Sequence, residues 1–377
     1  CFQLSVSAVL EAERRKMIRK FAKHWRDSAS LLVLARDQPA AQHNKYNYKV
    51  LVFKRTSNTS FMPNSVVFPG GGFDKQDASL GWESFFRERN VSNTALKAIT
   101  QVDGARPYIF QTEGTDLLDR NLSLRLCALR EAFEELGVLL VTDEQRQKTE
   151  TGLSKCLQLP DVDSWQQKIH DGTASFQALH TALGTVPDVF NLYEWSCWLT
   201  PAMFRKRRFE TAFYLAVLNE MPAIHPEPHE VQEYFWDTPA ALLEAHREEK
   251  IWLAPPQTYE LTRLSFVYDI DQLVRFADKR NRKGSTLLCP IQYNAADGVI
   301  FVLPGDDLYP ADYDYLSDNA DLDKYGEQTR EAIRKQAKRL HRVEHKDLHH
   351  QAFFLNQQPL DDHLHVQGLN GNLLQNQ

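Results

Sequence analysis

Arg130, Glu131, Glu134 and Glu135 stand within six consecutive residues of a 377-residue chain. On a helix, Glu131 and Glu135 are one turn apart on the same side, with Glu134 on their flank and Arg130 one turn before Glu134. Like charges four residues apart cost a few tenths of a kcal/mol, roughly 0.2–0.5. A hard divalent cation, Mg²⁺ or Mn²⁺, reverses that cost by taking carboxylate oxygens and bridging them to phosphate. Arg130 can pair with Glu134 and hold the cluster in place. A solvated acidic face would present the same residues, so the elements around them must decide.

The positioning element is a helix over Leu122–Leu136. Leu122, Leu126, Leu129, Phe133 and Leu136 form one apolar stripe at helical spacing, and Glu131 and Glu135 lie roughly opposite it. Asn121 or Ser123 can cap its start, and Gly137 stands where a glycine ends a helix. Upstream, the short apolar run Val66–Phe68 reads as a strand stopped by Pro69-Gly70-Gly71-Gly72, a turn that needs backbone freedom. Asp74 and Asp77 follow it. A strand, a glycine turn, acidic residues and then Arg130–Val138 make a compound signal that none of its parts makes alone.

The segment resembles the Nudix box of the Nudix hydrolases: Gly, five residues, Glu, seven residues, then Arg-Glu-apolar-x-Glu-Glu-x-Gly-apolar. Arg130, Glu131, Ala132, Glu134, Glu135, Gly137 and Val138 match its second half completely. In the first half, Asp77 stands where the family has Glu, and 52 residues rather than seven separate it from Arg130. The box is split by an insertion. Phe68-Pro69-Gly70-Gly71 with Asp74 and Asp77 is similar to the coenzyme A-directed Nudix enzymes. The split box and Phe61-Met62-Pro63 resemble the animal acyl-coenzyme A diphosphatase subfamily, as do Trp198–Pro201, Arg208–Phe213, Ile251–Glu260 and Leu303–Asp306. Arg55-Thr56 resembles the Arg-Ser of the coenzyme A signature; Ser60 is near the place of its second Arg, and Asn64 replaces its Gly.

The resemblance implies an α/β fold: a Nudix α/β/α sandwich with a mixed sheet, an insertion within the box and a C-terminal extension. It implies hydrolysis of the diphosphate of coenzyme A and acyl-coenzyme A to 3′,5′-ADP and (acyl-)4′-phosphopantetheine, with Mg²⁺ or Mn²⁺ as cofactor. Transferred residue by residue, Glu131 and Glu135 are metal ligands, Glu134 is an auxiliary ligand, Arg130 orients the glutamates, and Gly70 and Gly71 shape the preceding loop. The general base stays open: Glu230 and Glu233 are candidates, and Glu210 is another. Arg205–Arg208 is a basic cluster of the kind that usually sits on a solvated loop; its functional reading is a site for the 3′-phosphate of coenzyme A, and Arg55 is a second phosphate candidate. Arg207 and Arg208 are the cluster's substrate-binding candidates. Trp252 and Tyr259 could line an acyl or adenine pocket, or belong to the core. Two alternatives remain: a Nudix pyrophosphatase for ADP-ribose, a dinucleotide or an mRNA cap, and a non-catalytic nucleotide-binding module.

Composition narrows the classes. With 44 basic and 50 acidic residues the net charge is −6, which argues against a dedicated nucleic-acid partner. No apolar run approaches the roughly 20 residues of a membrane span. Five cysteines (Cys1, Cys127, Cys156, Cys197, Cys289) without a CxxC argue against a disulfide framework or structural zinc and fit an intracellular, reducing compartment. Met17 is a plausible start, so residues 1–16 need not be native. Arg19, Lys20, Lys23 and Arg26 give a weak organelle-targeting character. Family resemblance points to a peroxisome or mitochondrion, although Leu374–Gln377 is not a peroxisomal tripeptide. Oligomeric state is not legible.

The expected layout is an N-terminal segment over 1–24, a Nudix domain over 25–249 with the insertion at 78–121, an extension over 250–350 packed on the core, and a loose tail over 351–377. Strands are expected at Leu31–Ala35, Tyr48–Lys54, Glu194–Leu199, Phe209–Asn219, Tyr234–Trp236, Ser285–Gln292 and Val299–Leu303. Helices are expected at Pro239–Glu248, near Tyr259–Lys279, and at Glu327–His350, the last a basic helix whose His341, His345, His349 and His350 read as surface residues.

Overall fold

The computed structural model describes residues 25–37, 45–111, 117–142, 147–204, 207–315 and 321–366. Residues 1–24 with Arg19, Lys20 and Lys23 of the basic stretch, Arg205 and Lys206 of the basic cluster, and the tail after residue 366 lie outside the described residues, while Arg26 falls in the first strand.

Strands β1 (Trp25–Arg36) and β2 (Tyr48–Arg55) are apolar in unbroken runs because both their faces are covered. Alternate residues feed two cores: Leu31, Val33, Leu51 and Phe53 enter one, and Leu32, Leu34, Val50 and Val52 enter the other. The main sheet also holds β3 (Val66–Val67) and β4 (Gly70–Gly72). The hairpin β5 (Leu139–Val141) and β6 (Lys155–Leu157) stands apart from it. The sheet is completed by β7 (Tyr193–Leu199), β8 (Arg208–Leu218), β9 (Val231–Asp237) and β10 (Leu287–Leu288). It is mixed: β1 runs parallel to β8 and antiparallel to β2, and β10 runs parallel to β7.

Helices cover both faces. One layer is α1 (Gly81–Glu88), α2 (Asn93–Thr100), α3 (Arg120–Leu136), α4 (Val162–His170) and α5 (Phe176–Leu183). The other is α6 (Pro239–Arg247), α7 (Pro255–Leu264) and α8 (Ile270–Arg280). This is the α/β/α sandwich with a mixed sheet. An antiparallel meander of β11 (Ile291–Ala295), β12 (Gly298–Val302), β13 (His341–His345) and β14 (Gln351–Leu355) packs through Val343, Phe353 and Leu355 on the second core.

Four expectations are corrected. The helix near Tyr259–Lys279 is two helices, because the chain turns at Ser265–Tyr268 and Asp269 caps α8. The strand Ser285–Gln292 is split into β10 and β11, with Pro290, which has no amide donor for a ladder, between them. Glu327–His350 holds only the short α9 (Arg330–Arg334), and its histidines divide: His341 is buried in β13 and His345 is half-buried, while His350 is half exposed. The charges that suggested a solvated helix are paired inside the fold, Arg342 with Asp306 at 2.6–2.7 Å and Glu344 with Arg334 at 2.7–2.9 Å. Gln351–Leu355, expected in the loose tail, is strand β14 against β13.

Candidate active site

Helix α3 is capped by Asp119, whose carboxylate accepts the Leu122 amide at 3.1 Å, rather than by Asn121 or Ser123. Asn121 is instead drawn into the core, where its side-chain oxygen accepts from the Tyr214 hydroxyl at 2.9 Å. The helix ends at Gly137 with φ 70°. Its sides away from the sheet are also covered. Trp82, Phe85 and Phe86 of α1, Leu96 and Ile99 of α2, and Ile109 and Phe110 complete the core around α3. The insertion is thus a packed wall behind the helix, and Asp77 at its start is returned to Arg130.

Arg130 is the hub of the cluster. Its Nε and Nη2 donate to the two oxygens of Asp77, each at 2.9 Å, and Nη2 also donates to the Gly72 carbonyl. Its Nη1 donates to Glu131 at 2.8 Å and Glu134 at 2.9 Å. Glu135 turns toward β4, where its Oε2 accepts the Gly70 amide at 2.8 Å. The two glycines are required by this approach. A Cβ on Gly71 would sit 2.3 Å from the Glu131 carboxylate, and Gly70, at φ +155°, would drive one to 2.5 Å from the Ala29 carbonyl.

One guanidinium cannot neutralise these acids. Burial pushes the Glu131 carboxyl up to about 7; Arg130 opposes the shift and Glu134 adds to it. Burial and then the Glu131 charge push Glu135 well above the usual range, with Glu230 adding to the rise and Arg55 opposing it. Buried carboxylates that resist ionisation among themselves are a donor set for a hard cation. Among the described residues no three carboxylate, imidazole or thiol groups already converge as a cage. That is compatible with Mg²⁺, which keeps waters and takes one or two carboxylates together with substrate phosphates. The oxygen donors of Glu131, Glu134 and Glu135 therefore fit the implied ion.

The cluster opens into a cavity of about 590 Å³. Glu131, Glu134, Glu135, Gly70, Gly71, Arg55 and Glu230 all line it. Arg55 reaches it at a register shift between β2 and β9, and its buried Nε has no hydrogen-bond partner. Of the other base candidates, Glu233 is exposed on β9 and does not line the cavity. Glu210 is buried away from it, accepting from the Trp25 indole at 2.9 Å and the Ile109 amide at 3.2 Å. Arg208 is not brought to the cavity either: it is buried, donates to the Thr200 and Tyr315 carbonyls and stacks on Trp25. Arg207 is exposed and donates to the carbonyl of Ser60, itself a lining residue. Tyr259 lines the cavity and Trp252 does not.

Sequence reasoning missed Glu227, Phe301, Leu303 and Val343, which also line the cavity. Glu227 accepts the His229 and Glu230 amides at 2.9 Å and donates its own amide to the Glu135 carbonyl at 2.8 Å. It thereby ties the Glu230 loop to the end of α3. In sequence nothing but its nearness to Glu230 distinguishes it.

A family model described as the NUDT19 Nudix domain matches residues 25–264, and one described as the NUDT19 C-terminal domain matches residues 292–356. A Xenopus laevis protein named acyl-coenzyme A diphosphatase NUDT19 is 34% identical over 317 residues, 78% of this chain and 83% of its own length. The Homo sapiens protein of the same name is 32% identical over 348 residues, 86% of this chain and 90% of its own. A solved NUDIX hydrolase from Alicyclobacillus acidocaldarius is 23% identical, covering 67% of this chain and 96% of that one, with a TM-score of 0.47.

Proposed function

The chain belongs to the Nudix hydrolases, in the family of the NUDT19 Nudix domain, and on that footing we propose that it cleaves the diphosphate bond of coenzyme A and acyl-coenzyme A. The products would be 3′,5′-ADP and (acyl-)4′-phosphopantetheine. The observation that carries the reading is the acid-rich end of the cavity: Glu131, Glu134 and Glu135 around a single hub arginine, with Arg55 lining the same cavity and its buried Nε unpaired.

In this reading Glu131 and Glu135, with Glu134 beside them, hold Mg²⁺ or Mn²⁺. The bound ion would neutralise the diphosphate oxygens and activate the attacking water. Arg130 keeps the glutamate oxygens aimed, and the Gly70 amide fixes the Glu135 rotamer. Arg55 takes a phosphate oxygen with a guanidinium suited to it. Glu230 lines the same end and receives the water proton. The departures from the coenzyme A signature are accommodated locally. Asn64 adopts φ 62°, a backbone region Asn tolerates better than most residues. Where Ser60 stands near the place of an arginine, the Arg207 guanidinium lies on its carbonyl.

The test is product analysis by mass spectrometry after incubation with acyl-coenzyme A and Mg²⁺, with Glu135→Gln as control. 3′,5′-ADP formed only by the unaltered chain is the expected result. Turnover of ADP-ribose, dinucleotides or capped RNA in its place overturns the substrate. No Mg²⁺-dependent turnover of any of them overturns the catalytic reading.

A further inference from the structure

The cavity does not stop at the acids. It takes Ala29 and Val67 from one face of the main sheet, and Phe68, Trp198 and Phe213 from the other. It is then walled by Phe301, Leu303 and Val343 of the C-terminal meander. The glutamates sit on α3 in the first helical layer, while this far wall belongs to the second core. The cavity therefore joins a charged end to an apolar one.

Most polar handles near the apolar end are already spent. The Trp198 indole donates to Glu260 at 2.9 Å. His341 bonds the Pro304 carbonyl through Nδ1 at 2.7 Å; a carbonyl only accepts, so Nδ1 carries the proton and Nε2 accepts from the Tyr259 hydroxyl, also at 2.7 Å. Gln351, also in the lining, accepts from the Thr258 hydroxyl at 3.4 Å and meets His246 through its amide nitrogen at 3.3 Å, and the His345 ring packs edge-on against Phe301. The buried Gln257 Oε1 lines the cavity without a partner, but the wall around Phe301, Leu303 and Val343 is ring and hydrocarbon, and each purine nitrogen left unpaired against it would cost about 1–3 kcal/mol. A hydrocarbon chain loses nothing. The wall is also fixed. In β12, Ile300 and Val302 fill a separate small core, so Phe301 is turned to the opposite face, where it is half-buried. Beside Val343, Arg342 is locked to Asp306 and Glu344 to Arg334.

We propose that the C-terminal meander forms the acyl-binding end of the cavity and that Phe301 sets the acyl length it accepts. This rests on the reading of the chain as an acyl-coenzyme A diphosphatase. It gives residues 292–356 a role in the substrate site itself rather than in packing alone.

The measurement is kcat/KM across a series from acetyl- to palmitoyl-coenzyme A, expressed relative to free coenzyme A. Phe301→Trp fills the wall and lowers the palmitoyl ratio by about 10-fold or more; Phe301→Ala opens it and raises that ratio, since methylene-scale changes in apolar pockets carry factors of about 10–200. A second readout uses the unaltered chain. Acyl-coenzyme A with a photoreactive diazirine at the end of its chain, irradiated with divalent metal chelated, labels peptides spanning 298–303 or 341–345. Ratios within about twofold of the unaltered chain for both variants, or labelling confined to other peptides, overturn the proposal while the diphosphatase reading stands. Failure of the unaltered chain to hydrolyse either free or acylated coenzyme A removes the reading and the acyl wall with it.

Discussion

Two regions bury charge in opposite ways. In the C-terminal extension, among the described residues after 250, each buried acid has its own arginine: Asp306 with Arg342, Glu344 with Arg334, and Glu260 with Arg263. At the end of α3 a single cation, Arg130, is shared by Asp77, Glu131 and Glu134, and among the described residues Glu135 has the Gly70 amide as its one hydrogen-bond donor. Balanced pairs fix geometry and ask for nothing more. An unbalanced cluster, held in place by a packed wall, is a standing demand for positive charge. The fold therefore separates a region built to be finished from one built to be completed by a ligand.

The sharpest test of that contrast is Glu135→Gln. The amide oxygen can still accept the Gly70 N–H, so the loop is kept while the charge is lost. We expect kcat/KM for acyl-coenzyme A to fall about 1,000-fold, roughly 4 kcal/mol of transition-state stabilisation. The melting temperature should stay level or rise, because a desolvated charge is removed without stranding a partner. A melting temperature that drops by several degrees would mean that Glu135 is as well satisfied as the meander's acids, and the contrast would fail.

Asp306→Asn is the mirror experiment. It leaves Arg342 charged and fully buried, and breaking such a pair costs about 3–5 kcal/mol. Urea denaturation should show the loss directly. A near-neutral result would mean that the pair contributes no geometry, and would weaken the case for a rigid wall beside Val343.

The contrast also explains what the sequence could reveal. Helix α3 was legible because its signals are local, a leucine stripe and acids one turn apart; the glycine run reads as a turn in sequence, and only its ladder with Ser28–Ser30 of β1 makes it strand β4. The Asp77–Arg130 pair spans 52 residues and was visible only through the pattern of a known family. Strand β13 was misread because Arg342, Glu344 and His341 look solvated until Asp306, Arg334 and Tyr259 are placed beside them. Arg208 misled in the same way, since its carbonyl partners Thr200 and Tyr315 leave no trace in composition. Phe301 was one apolar residue in an ordinary strand, and only the cavity distinguishes it.

A pH series sharpens the contrast from the side of the meander. Burial pushes His341 down to about 4; the Pro304 carbonyl opposes the shift and the nearby Arg263 charge adds to it. In the unfolded chain the ring takes its proton near 6.5. Between those values the unfolded state binds more protons, so stability is full above about 6.5 and is lost as pH falls toward 4. At about 1.36 kcal/mol per unit, His341 accounts for roughly 2 kcal/mol between pH 6.5 and 5. Urea denaturation of His341→Gln beside the unaltered chain should show the gap between them closing over that range. Parallel curves would assign the loss to other groups.

The smallest expected effect separates folding from function within α3 itself. Asp119 caps the helix at its first turn and Glu131 begins the cluster twelve residues later, about 18 Å along the axis. Asp119→Ala should cost about 1 kcal/mol, the usual value of a lost N-cap. Because the glutamates are held from the other end, by Arg130, Asp77, Gly70 and the Glu227 loop, kcat/KM should change less than twofold, about 0.4 kcal/mol. A melting curve and a single assay on the same preparation decide it. A tenfold fall in activity would show that the acids depend on the whole helix rather than on their own network, and the line between the finished and the unfinished region would have to be redrawn through α3.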